Sequence, residues 1–322
     1  MVIKAQNIFQ ARERIRSFVR KTPLEYSPRL SRLANAEVFL KMENWQHSGS
    51  FKPRGSFNRL LKMNKEERAK GIVAPTAGNH GVGLSFAANQ LSITANIFLP
   101  QTADASKLKM LEDNRAKVTF FENVETARRS ALQIAAGEGI TFLSAYNDVS
   151  MIEGGGTIAV EILEDLPNID VALICIGGGG LIAGIGTLLK AVNPKIQVVG
   201  LQTDNSPQMK RSFEAGKPVA IEHKKSIAEG ISGSFELENM TFPIIQKVVD
   251  RIETVSDDEL VAAMRWTFEN HQIVTEPSGV PCIAYLLRQP KELVGKKIML
   301  TISGRNVATE KFLQFIEAKG SN

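Results

Sequence analysis

The sequence predicts an α/β protein of two domains, each built on a mainly parallel, twisted sheet flanked by helices. Short runs rich in β-branched residues alternate with helix-length segments along the whole chain, a pattern typical of parallel sheets with crossover helices. The length of 322 residues fits two domains. Hydrophobic residues make up 43% of the chain and charged residues 23%, which excludes a disordered or fibrous protein.

Nine segments are predicted to be strands because each is a short apolar or β-branched run bounded by turn-forming residues. They are residues 38–42, 71–74, 95–99, 117–121, 141–144, 171–176, 196–201, 251–255 and 297–302. An amphipathic first helix is expected before the Lys-Thr-Pro-Leu segment 21–24. Further helices are predicted at 105–114, 124–138, 157–165 and 257–270, and a boundary between domains near 146–148. The helix at 257 begins with a capping box, since Ser256 is followed three residues later by Glu259.

Charge and cysteine content argue against several kinds of partner. The net charge is +5, but basic and acidic residues are mixed along the chain without a basic block, so no nucleic-acid partner is expected. No apolar run reaches the ~18–20 residues of a membrane helix. Cys175 and Cys282 lie far apart in the sequence, which indicates neither a disulfide framework nor a cysteine metal site. Such cysteine usage suits a reducing compartment, so we expect a cytoplasmic protein.

Lys52 lies in the segment 48–55, just before a helix predicted to begin near Ser56. A lysine at such a junction meets the positive end of the helix dipole, which disfavours its charged form. A neutral amine is what Schiff-base chemistry requires. Taken alone, the segment is more typical of an ordinary solvated surface lysine.

A second segment, 75–81, connects a predicted strand to a helix predicted over 82–90. Successive backbone N–H groups at a helix start form an anion site suited to a carboxylate. The Asn79 side chain can both donate and accept hydrogen bonds, although a simple turn with Asn79 as the N-cap explains the segment as well. His80 is more typical of a structural hydrogen-bonder than of a metal ligand, since no second His or Cys lies at ligand spacing.

Four successive glycines follow the strand at 171–176 and open a helix predicted over 181–192. Their bare backbone allows N–H groups to converge on a phosphate at the helix N-terminus. Gly178, Gly180 and Ala183 also match a loose dinucleotide fingerprint, but Gln202 stands where an acidic ribose ligand is wanted. At the end of the last strand, Ser303 points toward the crevice where α/β proteins bind ligands.

Taken together and in this order, these segments resemble the serine/threonine dehydratase and serine racemase branch of the fold type II (tryptophan-synthase-like) pyridoxal-phosphate enzymes. The blocks that carry the resemblance are residues 21–24, 40–43, 48–55, 78–81, 177–180, 228–230, 276–279 and 303–306. The resemblance implies a large domain of residues 1–50 and 148–322, which holds the cofactor phosphate, and a small domain of residues 51–147. It places the active site in the cleft between them and implies a homodimer or other homo-oligomer.

The resemblance also implies roles for individual residues. Lys52 would carry pyridoxal 5'-phosphate covalently and then act as the base that removes the α-proton of the substrate. Ser303 would face the pyridine nitrogen, and Asn79 the phenolic oxygen. The remaining cofactor contacts would come from Phe51, Gly177, Gly178, Gly179, Gly180 and Leu181. The substrate carboxylate would be held by Thr76, Ala77, Gly78, Asn79 and His80, and the pocket would be bordered by Gly230, Glu276 and Arg305.

Ala77 favours elimination over racemisation, and Ser303 favours elimination over transamination. Racemases of this branch carry a serine, acting as an acid, where this chain has Ala77, which has no proton to transfer. Ser303 is a neutral hydroxyl, so the ring is a weaker electron sink and expulsion of a β-substituent is favoured. The expected activity is deaminating β-elimination of an L-hydroxy-amino acid, L-threonine or L-serine, to a 2-oxo acid and ammonia. The alternatives are a serine racemase, a β-replacement synthase, which usually has threonine in place of His80, and a NAD-binding oxidoreductase.

Other departures from the family's pattern concern metal and substrate. Gln202 and Gln208 stand where metal-activated members carry carboxylates, so no metal site is expected. Unusual residues stand at Thr76, Val82, Gly155 and Arg305, which leaves the identity of the hydroxy-amino acid open.

Overall fold

The computed structural model describes residues 3–76, 78–103, 105–233 and 235–317. Within them the chain forms two sheets flanked by helices, which confirms the predicted α/β class. The strands are β1 (Leu24–Tyr26), β2 (Glu37–Lys41), β3 (Ile72–Pro75), β4 (Ala95–Pro100), β5 (Lys117–Phe121), β6 (Thr141–Phe142), β7 (Val171–Cys175), β8 (Gln197–Thr203), β9 (Arg251–Val255) and β10 (Lys297–Thr301). The helices are α1 (Ala5–Ile15), α2 (Pro28–Ala34), α3 (Lys52–Leu61), α4 (Lys65–Lys70), α5 (Asn79–Gln90), α6 (Ala105–Asp113), α7 (Val124–Glu138), α8 (Val149–Asp165), α9 (Gly180–Val192), α10 (Gln208–Ala215), α11 (Thr241–Val248), α12 (Asp257–His271), α13 (Pro281–Leu287) and α14 (Thr309–Glu317).

The larger sheet has six strands in the order β1-β2-β10-β7-β8-β9. All neighbours in it are parallel except β1, a short edge strand that pairs antiparallel with β2 and was not predicted. In the centre, Leu300 pairs with Leu40 on one side and Leu173 on the other, and all three are at most 1% exposed. Continuous burial of this kind is typical of parallel strands covered by helices on both faces.

The smaller sheet has four parallel strands in the order β5-β4-β3-β6. The inner strand β4 packs against α5 and α7, whereas the edge strand β5 is mostly exposed. No helix among the described residues is long and apolar enough to cross a bilayer.

Helix α8 corrects the prediction that a helix begins at Thr157. It begins at Val149, where the Asp148 side chain accepts a hydrogen bond from the Met151 N–H, and it includes the glycines at 154–156. A Cβ on Gly154 would lie 2.4 Å from the Arg54 carbonyl oxygen. The glycines therefore allow close packing of buried helices, and this packing outweighs their low helix propensity.

Two helices at the site also begin earlier than predicted. Helix α3 begins at Lys52 rather than near Ser56, because Pro53 occupies the first turn, where proline is tolerated. Helix α5 begins at Asn79, with Gly78 as its N-cap, so Asn79 is the first helical residue and not the cap. The side chain of Asn79 is thereby free for contacts outside its own helix.

A buried ionic cluster anchors the start of α3. The Arg54 guanidinium contacts the carboxylates of Glu43 at 2.8 Å and Glu161 at 2.7 Å, and Glu161 also contacts the Lys41 ammonium at 2.6 Å. All four side chains are at most 1% exposed. Because Arg54 is two residues after Lys52, the cluster fixes the position of that lysine. The sequence had not singled out this cluster.

Candidate active site

Lys52 lies at the first turn of α3, in the cleft between the two sheets. Its Nζ is 4.8 Å from the centre of the Phe51 ring, and its Cβ packs against Gly83 of α5, where an added Cβ would lie 2.7 Å away. Burial lowers the pKa of Lys52 from 10.5 to about 8, while the charges of Cys175 and Glu276 act in the opposite direction. The sequence attributed a lowered pKa to the helix dipole, whereas in the structure burial is its main cause.

The four glycines at 177–180 connect β7 to α9, whose first residue is Gly180. They form a loop without side chains, which we call the glycine cradle. A Cβ on Gly178 would lie 2.2 Å from the Tyr146 ring, and Gly179 has a φ of +87°, which favours glycine. The loop is held by the Thr241 hydroxyl, which donates to the Gly178 carbonyl at 2.7 Å. The first N–H groups of α9, at Gly180 and Leu181, lack partners within the helix and could bind a phosphate.

Ser303 lies at the carboxyl end of β10 and is 6% exposed. Its hydroxyl donates to the Ser278 carbonyl at 3.1 Å, and its own carbonyl accepts from the Phe51 N–H at 3.2 Å. Burial raises the pKa of the Cys175 thiol, at the end of the neighbouring strand β7, and the nearby Ser303 side chain lowers it. Ser303 and the segment that carries Lys52 are therefore in direct contact.

The loop between β3 and α5 leads into α5, the helix that packs against Lys52. The Thr76 hydroxyl accepts a hydrogen bond from the Gly78 N–H at 3.2 Å, which shapes the turn before α5. The His80 ring lies 3.4 Å from the Leu143 carbonyl oxygen, and burial lowers the pKa of His80 to about 3, so the ring is neutral. Ala77 lies outside the described residues.

Asn79 joins this loop to the loops after α12 and β10. Its Nδ2 donates to the Glu276 carboxylate, and its Oδ1 accepts from the Asn306 Nδ2 at 2.8 Å. Burial raises the pKa of Glu276, and the Lys107 ammonium and the Asn79 hydrogen bond lower it. Sequence reasoning assigned no role to Asn306, although it belongs to the block 303–306 that carried the resemblance.

Not every predicted pocket residue is equally enclosed. Arg305 is exposed, and its N–H donates to the Gly49 carbonyl at 2.9 Å. Gly230 is exposed too, and its N–H donates to the Ser278 hydroxyl at 2.8 Å. A cavity of about 400 Å³ adjoins the site, and its lining includes Lys107, Glu229, Glu276, Ser278, Asn306 and Phe315.

Gln202 and Gln208, at the positions where metal-activated family members carry carboxylates, are buried and hydrogen-bonded within the protein. Gln202 accepts from the Lys210 N–H at 3.1 Å, and Gln208 accepts from the Phe235 N–H at 2.9 Å. In the part of the chain that the structure describes, no group of three or more His, Cys, Asp or Glu side chains is placed to hold a metal ion.

Comparison with known proteins identifies the family. The family described as "Pyridoxal-phosphate dependent enzyme" matches residues 15–304. The chain belongs to this family. The prediction of pyridoxal phosphate as the cofactor is thereby confirmed, and the alternative of a dinucleotide-binding oxidoreductase loses its basis.

Relatives of this pyridoxal-phosphate enzyme include ammonia-lyases and racemases. The chain is 35% identical to the catabolic L-threonine dehydratase TdcB of Escherichia coli K12, over 98% of both chains. It is 33% identical to the L-threo-3-hydroxyaspartate ammonia-lyase of a Pseudomonas species, over 97% of this chain and 98% of that one. The structure of maize serine racemase superposes with a TM-score of 0.93 at 28% identity, covering 98% of this chain and 97% of the maize chain.

The residues of this pyridoxal-phosphate enzyme fit the cofactor. The cradle at 177–180 leaves no room for side chains beside Tyr146 and offers N–H groups to a phosphate. The lowered pKa of Lys52 makes its amine available for covalent attachment at neutral pH. The buried hydroxyl groups of Ser48 and Ser50 have no hydrogen-bond partner in the protein, as expected beside a polar ligand.

Proposed function

We propose that this enzyme deaminates an L-hydroxy-amino acid, L-threonine or L-serine, by β-elimination to give a 2-oxo acid and ammonia. The observation that carries the proposal is that Lys52, an amine with a lowered pKa, follows Phe51, whose N–H donates to the carbonyl of Ser303, a residue with a neutral hydroxyl. The relatives named as threonine and hydroxyaspartate ammonia-lyases support the reaction class.

When bound, pyridoxal phosphate supplies the electron sink for cleavage of the Cα–H bond. Lys52 would attach the cofactor through Nζ, and after its release from that bond Nζ would take the proton from the substrate Cα. Because the Ser303 hydroxyl is neutral, it would not hold a proton on the ring nitrogen. The substrate would then best lose its β-hydroxyl, which takes up a proton and leaves as water while the electron pair from Cα forms the new C=C bond. The enamine that is released hydrolyses to the 2-oxo acid and ammonia.

Other contacts would hold cofactor and substrate in place. The phosphate would bind the N–H groups of the segment 177–181, and Phe51 would pack on the ring. Asn79 would contact the phenolic oxygen. The turn at 76–80 would bind the substrate carboxylate through its N–H groups at the start of α5, with its helix dipole favouring the negative charge.

The organisation of the whole protein is also proposed. The six- and four-stranded sheets support a large domain of residues 1–50 and 148–322 and a small domain of residues 51–147. The resemblance supports a homodimer or other homo-oligomer. The two widely separated cysteines support a cytoplasmic location, and the mixing of basic and acidic residues along the chain argues against a nucleic-acid partner. Size-exclusion chromatography with light scattering would measure the oligomeric state.

The central test is the covalent position of the cofactor. Borohydride reduction of the protein loaded with pyridoxal phosphate should fix the label on the peptide that contains Lys52. Lys52→Arg keeps a positive charge but should abolish labelling and lower the rate of 2-oxo-acid formation by about 10³-fold or more. Labelling of a different lysine would contradict the assignment.

Racemisation on the same scaffold is the second candidate, because the maize serine racemase has nearly the same fold. Chiral chromatography of L-serine reactions separates the two. The native enzyme should form 2-oxo acid and essentially no D-serine, whereas Ala77→Ser should form detectable D-serine, since a positioned acid is worth about 10²–10⁴-fold. Abundant D-serine from the native enzyme would refute elimination as the main activity.

A further inference from the structure

The side chains of Asn306, Asn79 and Glu276 form a line of hydrogen bonds beside the cavity. The Asn306 Nδ2 donates to the Asn79 Oδ1 at 2.8 Å, and the Asn79 Nδ2 donates to the Glu276 carboxylate. Glu276 is 4% and Asn306 6% exposed, so water competes little for these bonds. Asn79 is therefore held by Asn306 through its oxygen and by Glu276 through its nitrogen.

The orientation of the Asn306 side-chain amide follows from its contact with a backbone carbonyl. The Asn306 Nδ2 also donates to the Ser48 carbonyl oxygen at 2.8 Å, and a carbonyl oxygen can only accept. The Asn306 nitrogen is thereby turned toward both Ser48 and Asn79. Its Oδ1 lies over Gly49, where a Cβ would come within 2.2 Å, so the bare backbone leaves the space that this orientation needs.

Asn79 must then present its oxygen to Asn306 and its nitrogen to the other side. Glu276 accepts one of the two hydrogens on the Asn79 Nδ2, which leaves the second for a ligand. We propose that Asn306 is a positioning residue that, together with Glu276, turns the Asn79 amide so that it offers an N–H, and not its oxygen, to the phenolic oxygen of the cofactor. The inference rests on the proposed function, which assigns Asn79 to that oxygen.

The orientation of the amide affects the charge of the phenolic oxygen. An N–H donor stabilises the phenolate, whereas an amide oxygen would repel it and favour the neutral phenol. In pyridoxal phosphate bound to lysine, the phenolate form absorbs visible light and the neutral form absorbs in the near ultraviolet. The absorption spectrum therefore reports which way Asn79 is turned.

The test is Asn306→Asp in the holoenzyme. A carboxylate at this position only accepts, so it would take a hydrogen from Asn79 and turn the Asn79 oxygen toward the cofactor. We expect the visible band to fall as the near-ultraviolet band rises, and the dissociation constant for pyridoxal phosphate to increase about tenfold to a hundredfold. Asn44→Asp is the matched control, because Asn44 is fully buried and donates to the Val274 carbonyl, not to Asn79 or Glu276. It adds the same charge and should leave the spectrum unchanged.

Each result decides between the explanations. A native spectrum and affinity in Asn306→Asp would overturn the inference and leave the proposed function intact. An equal shift in Asn44→Asp would also overturn it, because buried charge and not amide orientation would then be responsible. If circular dichroism shows that Asn306→Asp does not fold, Asn306→Ala replaces it, and a smaller shift in the same direction is required. A native protein that takes up no pyridoxal phosphate would refute the proposed function and, with it, the inference.

Discussion

The lowered pKa of Lys52 predicts how the reactivity of its amine depends on pH. With a pKa of about 8, about 9% of the cofactor-free protein carries a neutral amine at pH 7. With the ordinary value near 10.5 the neutral fraction would be about 0.03%, so burial increases the reactive population roughly 300-fold. Burial disfavours the charged form of Lys52, so the amine is mostly neutral above about pH 8 and mostly protonated below it.

The assay is competitive acetylation of the cofactor-free protein with acetic anhydride, with the Lys52 peptide quantified by mass spectrometry against an amine standard. We expect the labelling rate to rise about tenfold per pH unit up to about pH 8 and to level off above it. Lys52→Arg identifies the signal because it removes the reactive amine. A rate that still rises tenfold per unit between pH 9 and 10 would refute the argument from burial.

Three further predictions concern stability, cofactor binding and metal. Arg54→Met removes the ion-pair partner of the buried Glu43 carboxylate and leaves Glu161 with Lys41 alone, so urea unfolding should show a loss of about 3–5 kcal/mol, whereas Arg16→Met, which breaks an exposed pair, should change little. Gly178→Ala should weaken binding of pyridoxal phosphate at least about tenfold in a fluorescence titration, because the cradle has no room for a methyl group, and unchanged affinity would place the phosphate elsewhere. Because Gln202 and Gln208 are hydrogen-bonded within the protein, activity should be insensitive to EDTA and to added magnesium, and several-fold activation would point to a metal site built from other ligands.

The strands were predictable because their signal is local. Two predicted strands, at 117–121 and 251–255, have the observed bounds, and the capping box of α12 is present as predicted. The prediction missed the edge strand β1, which is three residues long and has no periodic pattern of its own. It also began the helix at Thr157, after the glycines at 154–156, because the cost of glycine in a helix is local, whereas the packing that outweighs this cost depends on α3 and α9.

Some residues in and around the candidate site could likewise be found from the sequence, and others could not. Lys52, the glycine cradle and Ser303 could be found from the sequence because each lies at the junction of a strand or loop with its neighbouring helix, and such junctions have short, readable patterns. The roles given to them came from the order of these blocks along the chain. The cluster of Lys41, Glu43, Arg54 and Glu161 had no such pattern, since its members come from the end of β2, from α3 and from α8, which are far apart in the chain.

The sequence by itself therefore determined the α/β class, the family and the segments that carry the chemistry, because backbone periodicity and loop composition are properties of neighbouring residues. Only the tertiary structure decided how these segments meet. It showed that burial, more than the helix dipole, lowers the pKa of Lys52, and that Asn306 lies against Asn79, which is 227 residues away in the chain. Desolvation and the direction of a hydrogen bond depend on every atom around a group, and those atoms are brought together only by folding.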